Sequence, residues 1–259
     1  MNALKIAFLF ITLLISRAVF SQSLLLNADP QWISLGDIDV TGDQITVEAL
    51  VYYTGGQNVV SKHTGATNAN YLLRLNSFQL TTTSAFYFTP NPYTMNSNTW
   101  YHIAGTYDGT NVKYYVNGCL ISTVPATGNL ITQDLATAIG NKSFNEGEQY
   151  FGQIDEVRIW NVARTQAQIQ SYMNNLPTPA TQPGLLAYYK FTNNLNNSQG
   201  NALSNGISMG AATIYAPEPP IIVTTSLTAV TPQHALCTNN NGSVIITASG
   251  NNIQYSIAI

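Results

Sequence analysis

Acid–base catalysis needs carboxylates, imidazoles or thiols within reach of one another, and this sequence spaces them poorly. Cleaving a glycosidic bond takes two carboxyl groups, roughly 5–5.5 Å apart for retention or 6.5–9.5 Å for inversion. On a strand that means alternate residues, because a period of two aims side chains at one face. Glu146 and Glu148 alternate, but they flank Gly147 in a loop-like stretch, SFNEGEQ. Asp155 and Glu156 are adjacent, so a regular strand would turn them to opposite faces, and Glu48 stands alone. His63, His102 and His234 are dispersed, with no Gly-x-Ser-x-Gly elbow, His-Glu-x-x-His pair or Gly-rich phosphate loop. His102 alternates with Trp100 and Ala104 and reads as a hydrogen-bonded structural histidine. The residues read as non-catalytic.

Aromatic rings and amides are plentiful instead. A pyranose ring stacks on the first and hydrogen-bonds the second. The segments FYFTPNPY (Phe86–Tyr93) and SFNEGEQY (Ser143–Tyr150) combine both types. Tyr87, Asn91, Tyr93, Asn145 and Glu148 are therefore the candidate ligand-binding side chains. Most tyrosines read as core or cross-strand pairs, and Trp32, Trp100 and Trp160 read as core.

Charge narrows the partners. Only 8% of the 259 residues are charged, against roughly 25% in ordinary globular proteins, so Asn, Thr, Ser, Gln and Tyr must cover the surface. Nine scattered Lys and Arg residues cannot form the basic patch that a nucleic-acid backbone requires. Residues 1–21 follow the secretory pattern: Lys5, an apolar Ile6–Ile15, and Val19-Phe20-Ser21 as a cleavage site. That run is shorter than the ~20 apolar residues that span a bilayer, so export without membrane insertion is expected. Removing Lys5 and Arg17 shifts the formal charge from −3 to −5. Cys119 and Cys237 are far apart, and each reads as a small buried hydrophobe rather than half of a bridge.

The elements that must position these side chains are short strands. Ser23–Leu35 reads as two strands broken at Asp29-Pro30. Ile45–Tyr53 is followed by a Gly55-Gly56 turn and a strand at Asn58–His63; Tyr71–Leu75 and Ser77–Thr82 form a hairpin; Ala85–Thr89 is a further strand, and Pro90–Asn98 a loop. Trp100–Tyr107, Val112–Val116 and Cys119–Val124 are separated by Asp108-Gly109 and Asn117-Gly118, pairs that supply the positive-φ residues of hairpin turns. A strand over Phe151–Trp160 leads to one helix, where Thr165 and Gln168 have capping-box spacing and Ile169, Tyr172 and Met173 share a face. Gly184–Phe191 is the next strand, and Thr192–Asn205 an Asn-rich loop. The Pro-rich 216–220 reads as a stiff linker, and 221–259 as an incomplete second β domain. The chain stops inside a strand-like run, which reads as a fragment of a longer polypeptide.

In order, TWYHIAGTYDGTNVKYYVNG (residues 99–118), Ile139-Gly140, FGQIDEVRIWNVART (151–165) and LLAYYKF (185–191) resemble the laminin-G-like branch of the concanavalin A-like jelly rolls, which includes the pentraxin relatives common in bacterial surface proteins. The family strand EAWV stands here as Glu48-Ala49-Leu50-Val51. The resemblance runs from Leu24 to Tyr215. It implies an all-β jelly-roll sandwich with one short helix over residues 22–215. By the same resemblance, a structural Ca²⁺ would lie between the N-terminal segment and a late strand, with Asp29 and Asp155 as carboxylate ligands. Pro30-Gln31 depart from the Gly and Asp the family often has there, and Asp155 could instead pair with Arg158 or cap a bulge.

Glycoside hydrolases also use this fold, but they set their carboxylates at alternate positions of one strand, a pattern missing here. LCTNNNGSVIITASGNNIQYSI resembles the start of a repeat in large adhesins of gliding bacteria. Together these imply a secreted or cell-surface recognition module that binds carbohydrate or a surface protein within a multidomain adhesin. The alternatives are the targeting domain of a carbohydrate-active enzyme whose catalytic domain lies elsewhere, and a structural spacer.

Overall fold

A computed structural model describes residues 22–65, 67–143 and 147–215, and the backbone of the strands 243–247 and 254–258. The signal-like segment, the Pro-rich linker, Asn145 and Cys237 lie outside the described residues. The chain opens with β1 (Ser23–Leu26) and β2 (Trp32–Ser34), then the long β3 (Ile45–Gly56) and β4 (Asn58–Gly65). Two hairpin-linked pairs follow: β5 (Asn68–Arg74) with β6 (Ser77–Thr81), and β6 with β7 (Phe86–Pro90). Next come β8 (Trp100–Tyr107), β9 (Asn111–Val116), β10 (Cys119–Pro125), the two-residue β11 (Ala138–Ile139) and β12 (Tyr150–Trp160). Helix α1 (Gln166–Tyr172) precedes β13 (Leu185–Tyr189), and β14 (Ile207–Met209) and β15 (Thr213–Tyr215) close the sandwich. Separately, β16 (Ser243–Thr247) and β17 (Gln254–Ala258) pair antiparallel.

One sheet has the order β10-β9-β8-β3-β12-β1-β15, with β13 also on β12; the other is β14-β2-β11-β4-β5-β6-β7. Successive segments switch sheets, as a jelly roll requires. Period-two alternation explains the core. On β3, Ile45, Val47, Ala49 and Val51 point inward to meet Tyr71 and Leu73 of the facing sheet, while Thr46 and Glu48 point outward. Each fully buried aliphatic or aromatic side chain contributes about 1.5–3 kcal/mol, so this core holds the sandwich together.

The turns fall close to their expected places. Asn117 (φ 49°) and Gly118 (φ 71°) both take positive φ, which suits a two-residue hairpin. At Asp108-Gly109 only Gly109 does so. Asp108 acts as an acceptor instead, its Oδ1 taking the N–H groups of Thr110 at 3.0 Å and Asn111 at 2.8 Å. Gly55-Gly56, expected as a turn, instead ends β3, and the chain runs on through Gln57 into β4 of the other sheet, the Gln57 and Asn58 N–H groups donating to Gln149 O at 3.3 Å and Glu148 O at 3.4 Å. Trp160 is core, but Trp32 and Trp100 are only half-buried. Cys119 is half-buried rather than buried.

Helix α1 forms as expected. Thr165 caps it, and Gln168 reaches back to the Thr165 N–H at 2.9 Å. Its buried residue, Ile169, packs on Ala104 and Tyr115, so the helix lies on the outer face of the β8–β9 pair. No helix among the described residues is long and apolar enough to cross a membrane.

Candidate functional site

Three connections converge beside the β3–β4 and β5–β6 turns, and backbone hydrogen bonds lock them together. Leu75 N–H donates to Gln57 O at 3.2 Å, Asn91 N–H to Asn76 O at 2.7 Å, and Asn98 N–H to Tyr53 O at 2.7 Å. The Tyr114 hydroxyl, buried below, donates to the carbonyls of Arg74 and Leu75 at 2.8 and 3.0 Å. Between these segments lies an open cleft of about 270 Å³, lined by Tyr53, Gly56, Gln57, Leu75, Asn76, Asn91, Tyr93 and Met95. It offers aromatic rings, a thioether and amides. Its lining holds no carboxylate, imidazole or amine.

Asn91 organises one wall. Its Nδ2 donates to Leu75 O at 2.8 Å, and its Oδ1 accepts the Tyr93 N–H at 2.9 Å. An amide has two donor and two acceptor positions, so one of each remains. Tyr93 in turn meets Tyr101 edge-on, with ring centroids 6.0 Å apart.

A second cleft of about 220 Å³ lies on the outward face of β4, β5 and β6, lined by His63, Gly65, Leu72, Arg74, Gln79, Lys142 and Glu148. Arg74 and Leu75 are consecutive, so one stretch of backbone serves both clefts. The Glu148 carboxylate is bound by the Arg74 guanidinium, by Lys142 Nζ at 3.4 Å and by Asn58 Nδ2 at 3.2 Å. Partial burial pushes this carboxyl up, but Arg74 and Lys142 outweigh it and leave it below the ordinary value. Burial, then the charge of Arg74, hold His63 down at about 4, so it is neutral at physiological pH.

Of the expected ligand-binding residues, Asn91 and Tyr93 line the first cleft and Glu148 the second. Tyr87 lines neither. Its hydroxyl accepts the Thr127 N–H at 3.1 Å, and its ring packs against the core. Sequence reasoning missed Tyr53, Gln57, Asn76 and Met95, along with Arg74, Lys142, His63 and Gln79. Their one available signal was their place in or beside turns.

The two residues expected to share a calcium ion are apart. Antiparallel pairing of Leu24 with Ile154 and Leu26 with Gly152 sets Asp155 level with Ser23, whereas Asp29 is exposed beyond the other end of β1. Asp155 Oδ1 accepts the Glu156 N–H at 2.8 Å at a bulge, where Glu156 has φ 52°. Among the described residues, no group of three or more His, Cys, Asp or Glu side chains could hold a metal.

A further titratable cluster is sealed between β3, β8, β12 and β13. Glu48 does not stand alone: its carboxylate accepts from Trp160 Nε1 at 2.9 Å and lies 3.3 Å from His102 Nε2 and 3.6 Å from Arg158 Nη1. Glu156 binds Arg158 and the Tyr188 hydroxyl. Glu156, Arg158 and Trp160 alternate along β12 and so share the outward face on which the cluster forms. All six side chains are buried, which suits a structural role rather than contact with a ligand.

Residues 27–170 match the family model of the concanavalin A-like lectin/glucanases superfamily, more than half of the chain. The chain belongs to that superfamily. Human pappalysin-1 is 33% identical over 99 residues, which are 36% of this chain and 6% of that protein, and mouse pappalysin-1 is 36% identical over 90 residues. The chain thus corresponds to a small part of these relatives' length. A Bacteroides ovatus protein to which carbohydrate binding is attributed superposes with a TM-score of 0.62 at 24% identity, over 78% of this chain and 61% of that one. A heptameric SAP-like pentraxin from Limulus polyphemus gives 0.50 at 14% identity, over 74% and 93%. At these identities the likeness is one of fold. It is the laminin-G- and pentraxin-like jelly roll that the hairpin motifs resemble.

Proposed function

We propose that this chain is an exported, non-catalytic recognition module that binds carbohydrate in the first cleft, as one domain of a larger adhesin-like polypeptide. The observation that carries the reading is the meeting of Tyr53 and Tyr93 with Gln57, Asn76 and Asn91 in one open cleft. Such a lining offers an apolar face for a sugar ring and neutral donors and acceptors for its hydroxyls. A lining without carboxylates leaves no general acid for glycoside hydrolysis there. Membership of a superfamily of lectins and glucanases, and a mostly uncharged surface, support the same reading.

A shallow cleft of this size binds weakly by itself, and repetition along a multidomain protein would raise avidity without new contacts. A glycan array of the whole chain, with calcium and again with a chelator, tests the reading and reports any calcium dependence. Binding that Tyr93→Ala removes supports it. Absence of glycan binding in both conditions sinks it.

A further inference from the structure

We propose that the second cleft is a subsite for the carboxylate of an acidic sugar, with Glu148 seated between Arg74 and Lys142 as an internal stand-in that the ligand displaces. This rests on the reading of the first cleft as a sugar site. Two of only nine basic residues converge here, and the one carboxylate between them leaves the cleft net positive once His63 is neutral.

The fit is already demonstrated within the molecule, because a carboxylate occupies the place. The contacts that keep it there are replaceable. The Glu148 side chain is 36% exposed, and exposed ion pairs contribute little because water screens them. Glu148 also has φ 59°, a left-handed backbone that is strained for a non-glycine residue and recurs at ligand clamps. Arg74 retains capacity: Nη2 is its donor to Glu148, while its Nε is buried without a partner among the described residues. A guanidinium fork suits bidentate carboxylate recognition.

Position supplies the sugar. Leu75 and Asn76, which follow Arg74 into the β5–β6 turn, line the first cleft, so an oligosaccharide that rounds this turn would set one ring there and present the carboxylate of a further ring to Arg74. A chain of formal charge −3 repels dense polyanions, which favours sparsely placed carboxylates over a heavily sulfated polymer.

The test is calorimetry of the full chain with trisaccharides of galacturonic, glucuronic and mannuronic acid, and with the same sugars after reduction of each carboxyl to the alcohol. At least one acid form should bind roughly tenfold tighter than its reduced form, as one charge-assisted hydrogen bond allows. The preference should shrink as salt is raised. Arg74→Gln should collapse that preference, and Lys142→Gln repeats the test if the first variant melts early. Glu148→Gln should widen it. An acidic hexapeptide serves as the other source of carboxylates; tighter binding of the peptide than of every uronate overturns the sugar assignment. Equal binding of acid and reduced forms overturns the inference but leaves the first cleft standing, provided Tyr93→Ala weakens both. If no sugar binds in either form, the inference falls and the glycan array decides the broader reading.

Discussion

Trp160 on β12 donates its indole N–H to the Glu48 carboxylate on β3 at 2.9 Å, across 112 residues of sequence. The bond ties two neighbouring strands of one sheet together on the face that α1 and the segment after it cover. Trp160 packs with Leu176, Leu185 and Tyr188 in the small core under that cover, and the Arg164 guanidinium lies 4.0 Å from its ring centre. The fully buried charges of Glu48 and Arg158 therefore fasten one face of the sandwich, while both clefts use β4–β6 and their connections.

Glu48 should confer a measurable acid limb on stability. Burial raises its carboxyl, but the contact with His102 and the charge of Arg158 hold it at about 2, below the ordinary 4.5. A depressed folded value means that the contribution is complete above about pH 4.5 and lost as pH falls towards 2. Glu48→Gln should cost about 3 kcal/mol at pH 7, as expected when one partner of a buried pair is removed. The gap from wild type in urea melts should close below pH 3. A gap that stays constant from pH 7 to 2 would show that the carboxylate charge is not what stabilises the fold.

Long alternating strands and glycine turns were legible because each is specified by its own residues: Ile45–Tyr53, Trp100–Val124 and the Thr165 cap needed no tertiary information. The strands β11, β14 and β15 were not. Two or three residues carry no period, and they become strands by pairing with β2, β4 and β1. Glu48 looked solitary because its partners come from β8 and β12. The bulge between Asp155 and Arg158, where β12 exchanges β1 for β13 as its neighbour, was not legible either, because the sequence carries no sign of the extra residue. Asn91 and Tyr93 were visible as an aromatic–amide loop. Tyr53, Asn76 and Arg74 were not, since hairpin ends converge only when the sandwich closes.

Gly105 marks the tightest approach between the two sheets. A Cβ there would lie 2.1 Å from the Phe78 ring, and Phe78 is fully buried. Gly105→Ala should therefore overpack the core by about 1–3 kcal/mol, lowering the melting temperature by roughly 3–10 °C. Phe78→Leu in the same chain should recover part of the loss, because the bulk removed faces the bulk added. Additive losses in the double variant, by calorimetry, would mean that the two positions do not compete for space.

Helix α1 is short enough for its cap to matter. Thr165→Ala removes the acceptor of the Gln168 N–H and should cost about 1 kcal/mol, while Thr165→Ser should cost almost nothing. Hydrogen exchange localises the effect. The amides of residues 168–172 should lose protection while those of β3 retain theirs, since Ile169 is the helix's one buried anchor. Uniform loss across both elements would instead make the helix an integral part of the sandwich's cooperative unit.

Tyr93 and Asn91 should affect sugar binding by different routes, and the difference tests how the first cleft is built. Tyr93→Ala removes a ring whose stacking is worth about 0.5–1.5 kcal/mol, so affinity for an array-identified glycan should fall roughly 2- to 12-fold. Tyr93→Phe keeps the ring and should retain most of that affinity. Asn91→Ala removes two hydrogen bonds, to Leu75 O at 2.8 Å and from Tyr93 N–H at 2.9 Å, and so releases the loop that presents the ring. It should lower both affinity and melting temperature, whereas Tyr93→Ala, at a half-buried position, should act more on affinity than on stability. If Asn91→Ala destabilises the fold without weakening binding, Asn91 serves only the loop and the sugar is held from the Tyr53 side. If Tyr93→Ala leaves affinity intact, the first cleft is not where the ring stacks.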